Sequence, residues 1–199
     1  MAPTAIATPQ VLTDPGYLFW APLATVEPTH TSTASKFSDA WPVGWVPLGA
    51  TTDGTEFSYA IKVDQIEVAE FLDPIKIVTT ERSGSITFNL TDFTAKRLQL
   101  ALNGGATMSS TGTAATTITT VSPPVPGSEA RCMIGWEALD NTVRLIARQT
   151  LQSSEVKVLF AKSPKFSDIP CTFDFEVPPT LTPFSAYFAG VAGTGGGRG

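Results

Sequence analysis

Four runs of this chain switch between apolar and polar side chains at almost every residue, and a period of two is the mark of half-buried antiparallel strands. Ile86, Phe88 and Leu90 alternate with Ser85, Thr87 and Asn89, and Cys132, Ile134 and Trp136 with Arg131, Met133 and Gly135. Val143, Leu145 and Ala147 partly alternate with Arg144 and Arg148, and Cys171, Phe173, Phe175 and Val177 alternate with Thr172, Asp174 and Glu176. A fifth run, Ile61 to Val68, contains a slip, because Ile61 and Val63 are odd-numbered while Ile66 and Val68 are even. A β-bulge at Asp64-Gln65 would return both pairs to the core face. Shorter strands are expected at Ile118–Val121 and Val156–Phe160, and Ala186–Val191 either closes the sheet or leaves it as an arm.

One helix is expected, over about residues 92–103. Asp92 can cap its start, Ala95, Leu98, Ala101 and Leu102 share one face, and Gly104 can supply the left-handed C-terminal cap. The fold class that follows is mainly β: an antiparallel β-sandwich or barrel with one flanking helix and extended N- and C-terminal arms. Residues 1–40 read as an arm rich in Ala, Thr and Pro, residues 41–189 as the β domain, and residues 190–199 as a Gly-rich tail. The arm holds the apolar cluster Tyr17, Leu18, Phe19 and Trp20, which either packs back on its own domain or crosses to a neighbouring subunit. In the second case a chain lacking residues 1–40 would still fold.

The residue inventory argues against catalysis. His30 is the single histidine and lies in the arm, away from any rigid scaffold. No phosphate-loop, nucleophile-elbow or dinucleotide motif occurs in its required setting, and Gly193 to Gly197 has no helix after it. No cofactor, metal or catalytic residue is expected. Cys132 and Cys171 fall in apolar phase without Cys-x-x-Cys spacing and read as buried small hydrophobes. The charge-free stretch Val177 to Gly197 is interrupted by Pro178, Pro179 and Pro183, which would break a membrane-spanning helix. With no basic residue before Lys36, no secretory signal is expected either.

Charge is distributed unevenly. The net charge of -5 opposes wrapping of nucleic acid, which needs a basic face. Between Asp53 and Glu81 the chain carries Asp53, Glu56, Asp64, Glu67, Glu70, Asp73 and Glu81 against only Lys62 and Lys76, an excess that equals the whole net charge. Such a strand pair is either an ordinary solvated face or a surface that faces a polyanion without binding it.

The order of features from Trp41 to Gly105 resembles the major tail tube proteins of long-tailed, siphovirus-type bacteriophages. The resemblance is carried by the Gly44-Trp45-Val46-Pro47-Leu48-Gly49 lead-in, the acidic strand pair ending in Thr79 to Phe88, and the helix Ala95 to Asn103 followed by Gly104-Gly105. It implies a non-enzymatic virion subunit, assembled in the host cytoplasm, whose six-membered rings stack into a tube through which DNA passes without specific binding. Implied partners are the chain itself and the tape measure, tail terminator and tail tip proteins. Asp64, Glu67, Glu70 and Glu81 become candidate luminal charges, Ser85, Thr87 and Asn89 candidate neutral luminal positions, and Tyr17, Phe19, Trp20, Trp41 and Trp45 candidate inter-subunit contacts. The alternatives are another phage structural β-sandwich (tail terminator, decoration protein or contractile-type inner tube) and a carbohydrate- or cell-surface-binding module using Trp20, Trp41, Trp45 and Trp136 as stacking platforms.

Overall fold

A computed structural model describes residues 15–66, 75–104, 108–113, 116–158 and 168–190. In chain order the elements are β1 (Gly16–Pro22), β2 (Ser32–Thr33), β3 (Lys36–Phe37), β4 (Val46–Gly49), β5 (Thr51–Ile66), β6 (Lys76–Leu90), α1 (Ala95–Ala101), β7 (Met108–Thr111), β8 (Ile118–Val121), β9 (Cys132–Ala138), β10 (Val143–Gln152), β11 (Ile169–Phe175) and β12 (Phe184–Phe188). Eight strands form one antiparallel sheet in the order β4-β1-β9-β10-β11-β6-β5, with β12 also paired to β10. β2–β3 and β7–β8 are separate two-stranded ribbons.

The connection from β4 to β5 dictates the shape of this sheet. These strands stand at its opposite edges, yet only Ala50 separates Gly49 from Thr51. Two Cα steps span at most about 7.6 Å. The sheet must therefore curl until its edges nearly meet, and it stops short of a closed barrel because β4 and β5 are not paired. The two halves of the curled sheet face each other across one core. Leu18, Leu48, Cys132, Ile134 and Ala147 come from one half, Ile86, Phe88, Leu90, Cys171 and Phe173 from the other, and Leu100 and Ala101 of α1 seal it.

β1, β9 and β10 are covered on both faces. Leu18 turns to the main core while Ala21 joins a second cluster with Trp45, Met133 and Ile146, against which Phe19, Trp41 and Tyr187 pack. Double-sided burial explains why Leu18 to Ala21 show no alternation: a strand buried on both faces reads as a continuous apolar run. Gly135 is required on the outer face, since a Cβ there would lie 2.4 Å from the Trp41 ring and 3.0 Å from the Trp45 ring. β1 pairs with β9 along its whole length and with β4 on its other side, so residues 16–22 belong to the sheet itself. Of the two readings of the Tyr17–Trp20 cluster, this pairing agrees with packing on its own domain, and a chain lacking residues 1–40 loses an internal strand.

The helix is shorter than its sequence pattern. Thr94, not Asp92, is the N-cap and accepts a hydrogen bond from the Arg97 amide, while Asp92 pairs with the Arg97 guanidinium at 3.7 Å. Leu100 and Ala101 are buried; Leu98 and Leu102 are only half-buried. Asn103, not Gly104, takes the left-handed conformation (φ 55°), and the amides of Asn103 and Gly104 donate to the carbonyls of Leu100 and Gln99. This is the Schellman arrangement with asparagine where glycine is usual. The asparagine side chain gives the reason: its Nδ2 donates to the Gln152 carbonyl and its Oδ1 accepts from the Gln152 amide, both at 2.8 Å. Residues 153–158 form no strand, although Val156 and Val158 pack on the core. β12 closes on β10, one of the two outcomes open for that segment.

Candidate functional site

β5 and β6 form a hairpin that outgrows the body of the protein. β6 is paired with β11 only along Ser85–Leu90, and the eight residues of β5 beyond Ser58 continue about 26 Å past that point. There the hairpin is exposed on both faces. Cross-strand partners share a face, so the register assigns every side chain. Phe57, Tyr59 and Ile61 lie opposite Ile86, Gly84 and Arg82, and Val63 and Gln65 lie opposite Thr79 and Ile77. This side is predominantly apolar and continues the core face. The other side pairs Glu56 with Thr87, Ser58 with Ser85, Ala60 with Ser83, Lys62 with Glu81, Asp64 with Val78 and Ile66 with Lys76. It is predominantly polar.

The register slip sits elsewhere than expected. It falls between Lys62 and Val63 of β5 and leaves Thr80 of β6 unopposed, rather than displacing Asp64-Gln65. The physical reason is a phase change in β6: Ile77 is odd-numbered while Ile86, Phe88 and Leu90 are even, and one extra residue brings them to the same side. Ile66 consequently falls on the polar side.

Of the candidate luminal residues, Asp64, Glu81, Ser85 and Thr87 therefore share one face, and Asn89 follows two residues after Thr87 with its amide donating to Asp53 at 3.3 Å. Glu67 and Glu70 lie outside the described residues. Glu81 stands 3.9 Å from Lys62 between two exposed side chains, a pair that contributes little to stability. At the root, aromatic packing covers the apolar face: the Phe184 ring lies 5.1 Å from Phe57, 5.3 Å from Tyr59 and 5.7 Å from Phe175. A cavity of about 440 Å³ opens there between Tyr59, Gly84, Phe175, Leu181 and Phe184. Beyond it Ile61, Val63 and Ile77 are bare.

The aromatic candidates lie apart from the hairpin. Phe19 stacks on Trp41 at 4.3 Å, Trp41 meets Trp45 edge-on at 4.7 Å, and Trp45 is buried. Trp20 and Trp136 pack against the main core. Tyr17 is 54% exposed. The four tryptophans thus form no common exposed platform for a sugar ring.

Beside the second cluster runs a polar network with no sequence signal. Arg144, 1% exposed, donates from Nε to Glu137 at 2.8 Å and from Nη1 to Asp39 at 3.4 Å. Trp41 donates its indole N–H to the other oxygen of Glu137. The Arg144 guanidinium also lies 4.7 Å from the centre of the Phe37 ring. One strand register away, Arg148 holds Glu27 through two bonds of 2.6 and 3.1 Å. These arginines read as solvent-facing in the strand alternation, and only the chain crossing above them makes their positions internal.

Cys132 and Cys171 are free, buried thiols. Burial pushes the first up to about 11 and the second up to about 12, so neither supplies a thiolate at neutral pH. Among the described residues no three His, Cys, Asp or Glu side chains converge as metal ligands. None of their helices is long and apolar enough to cross a membrane.

The geometry presents a surface for assembly: a long two-faced ribbon on a closed core. No curated protein matches the chain. A family model described as phage tail tube protein matches residues 5–180, most of the chain, and the chain belongs to the phage tail tube protein family, as a structural component of the virion tail.

Proposed function

We propose that this chain is the repeating subunit of a siphovirus-type tail tube, forming six-membered rings that stack around a DNA conduit. The observation that carries the reading is the β5–β6 hairpin, which extends past the core with one apolar and one polar face and with bare edges on both strands. Bare edges of this length invite pairing with another chain, and in a ring each β6 edge meets the β5 edge of the next subunit. Joined in this way, the hairpins line a continuous barrel. The polar face with Glu56, Asp64, Glu81, Ser85, Thr87 and Asn89 turns to the bore, and the apolar face turns outward against neighbouring subunits. Carboxylates within about 8 Å of passing phosphates, the Debye length at physiological salt, keep DNA from adhering. The tube meets the tape measure within it and the terminator and tip proteins at its ends.

Negative-stain microscopy of the purified chain tests the assembly directly. Rings or long hollow tubes are expected, and a dispersed monomer at high concentration overturns the reading. The luminal assignment has its own test. Glu56→Lys with Asp64→Lys places cationic groups along every ring, and their contacts with phosphate add up over the length of the tube with the salt dependence of counterion release. Particles of normal appearance should deliver DNA slowly at low salt and recover as salt is raised. Delivery at the wild-type rate at low salt would remove these two residues from the bore.

A further inference from the structure

Between β1 and β4 the chain crosses the outer face of the sheet as a strap, Leu23 to Trp45, which contributes Trp41 and Trp45 to the second aromatic cluster and packs them on Phe19, Ala21, Met133 and Ile146. Its backbone is under tension. Of the six non-glycine residues with left-handed φ among the described residues, four lie here: Ala24 (63°), His30 (57°), Ala34 (51°) and Ser35 (64°). L-residues disfavour that region, so the closed strap depends on what holds it. Its holds are the buried rings of Phe37 and Trp45, the stacking of Trp41 on Phe19, and a set of polar contacts. Arg148 grips Glu27, Arg144 reaches Asp39, the Trp41 indole donates to Glu137, and the Phe37 amide donates to the Asn141 carbonyl at 2.8 Å.

His30 sits in the middle of these holds. Its ring stacks on Tyr187 of β12 at 3.5 Å between centroids and 15° between planes, and meets Phe37 of β3 edge-on at 5.9 Å. Both ring nitrogens are buried, and among the described residues neither has a hydrogen-bond partner. We propose that His30 is the proton-sensitive catch of this strap: when its imidazole takes up a proton, residues 23–45 lift from the sheet, carrying Trp41 and Trp45 away from Phe19, Met133 and Ile146 and into solvent. A neutral imidazole tolerates a stacked, desolvated position, whereas an imidazolium carries two donors that need acceptors.

The surrounding charges supply none to spare. Arg144 and Arg148 of β10 repel a cationic ring, while Glu27 and Asp39 of the strap attract it. Glu27 is already committed to Arg148 and to the Tyr187 hydroxyl, and Asp39 to Arg144 and the Thr31 amide. Lys36, the charged residue of β3, acts on Asp140. Burial first, and the field of Arg144 second, hold the imidazole below its ordinary 6.5. For a base whose folded value is depressed, the unfolded chain binds the proton more tightly. Closure is therefore fully stable above about pH 6.5, weakens as pH falls from there through the folded value, and levels off below it.

The catch belongs to the single subunit and does not depend on how rings form or stack. Tryptophan emission and acrylamide quenching of the full chain, followed from about pH 7.5 to about pH 5, read its opening through Trp41 and Trp45. The expected result is one step to redder, more quenchable emission centred below 6.5, with far-ultraviolet circular dichroism unchanged. His30→Phe keeps the stacking on Tyr187 and should abolish the step; His30→Gln, also uncharged, should do the same and serves if the first variant does not fold. A wild-type chain without the step overturns the proposal. So does an undiminished step in either folded variant, which would assign opening to the carboxylates.

Discussion

A chain carrying Ile61→Asp together with Ile77→Asp should fold and remain soluble but form no tubes. Both residues lie on the apolar face of the hairpin beyond the cover of Phe184, and they are 53% and 59% exposed. In the isolated subunit a charge there meets water, and surface changes of this kind usually move stability by no more than about 0.5 kcal/mol. Assembly reverses the sign of the environment. If neighbouring subunits cover this face, the carboxylate at position 77 is buried with only Gln65 across the strand and the one at position 61 is buried beside Arg82, and together they cost several kcal/mol per subunit in every copy of a ring. Circular dichroism and thermal melting check the fold, and sedimentation or microscopy checks assembly. Normal tubes from the double variant would show that this face stays in solvent and would remove the principal support for the ring reading. Ile86→Asp on the same face is the contrast, because Ile86 lies in the core and the charge should prevent folding outright.

Arg144→Met should destabilise the folded subunit by about 3–5 kcal/mol, the usual penalty for removing one member of a buried ion pair. Against a total stability of roughly 5–15 kcal/mol, that loss puts a large fraction of the chain at risk of unfolding at physiological temperature. The cause is what remains. Glu137 keeps the Trp41 indole but loses its guanidinium, and Asp39 loses its contact across the strap. Arg144→Met combined with Glu137→Met removes both charges and should recover part of the loss. Urea denaturation of the two variants measures the difference. An equal loss in both would mean that shape at this site, rather than the uncompensated carboxylate, sets the cost.

Much of the sheet was legible because half-buried strands write their orientation into the chain. The alternation of Ser85 to Leu90 and of Cys171 to Phe175 places each side chain on the face where it is found, and the polar phase of β6 assigns Glu81, Ser85 and Thr87 to one side. Elements covered on both faces erase that signal. β1 reads only as an apolar cluster, and Arg144 and Arg148 read as the polar phase of β10 although the strap makes both of them internal partners. The helix limits were misplaced for a different reason. Asp92 and Gly104 are the statistically favoured caps, but Thr94 and Asn103 have the better local geometry, and Asn103 gains two further bonds to Gln152 that no local pattern reveals.

The amino-acid sequence by itself determined the β class, the helix near Ala95–Ala101, the concentration of acid between Asp53 and Glu81, the absence of catalytic motifs and the resemblance to tail tube proteins. Each of these depends on neighbours along the chain, where period, composition and motif spacing are fully expressed. The tertiary structure decided the rest. The curl of the sheet follows from β4 and β5 standing at opposite edges while one residue joins them. The bulge moved to Thr80 because two strands with different phases had to share one face. The second core, its buried arginines and the strap that carries His30 exist only where segments more than a hundred residues apart in the chain meet, as Asp39 meets Arg144 and Glu27 meets Arg148. Contacts of that kind leave no periodic trace, since the partner that buries a residue is not adjacent to it in the chain.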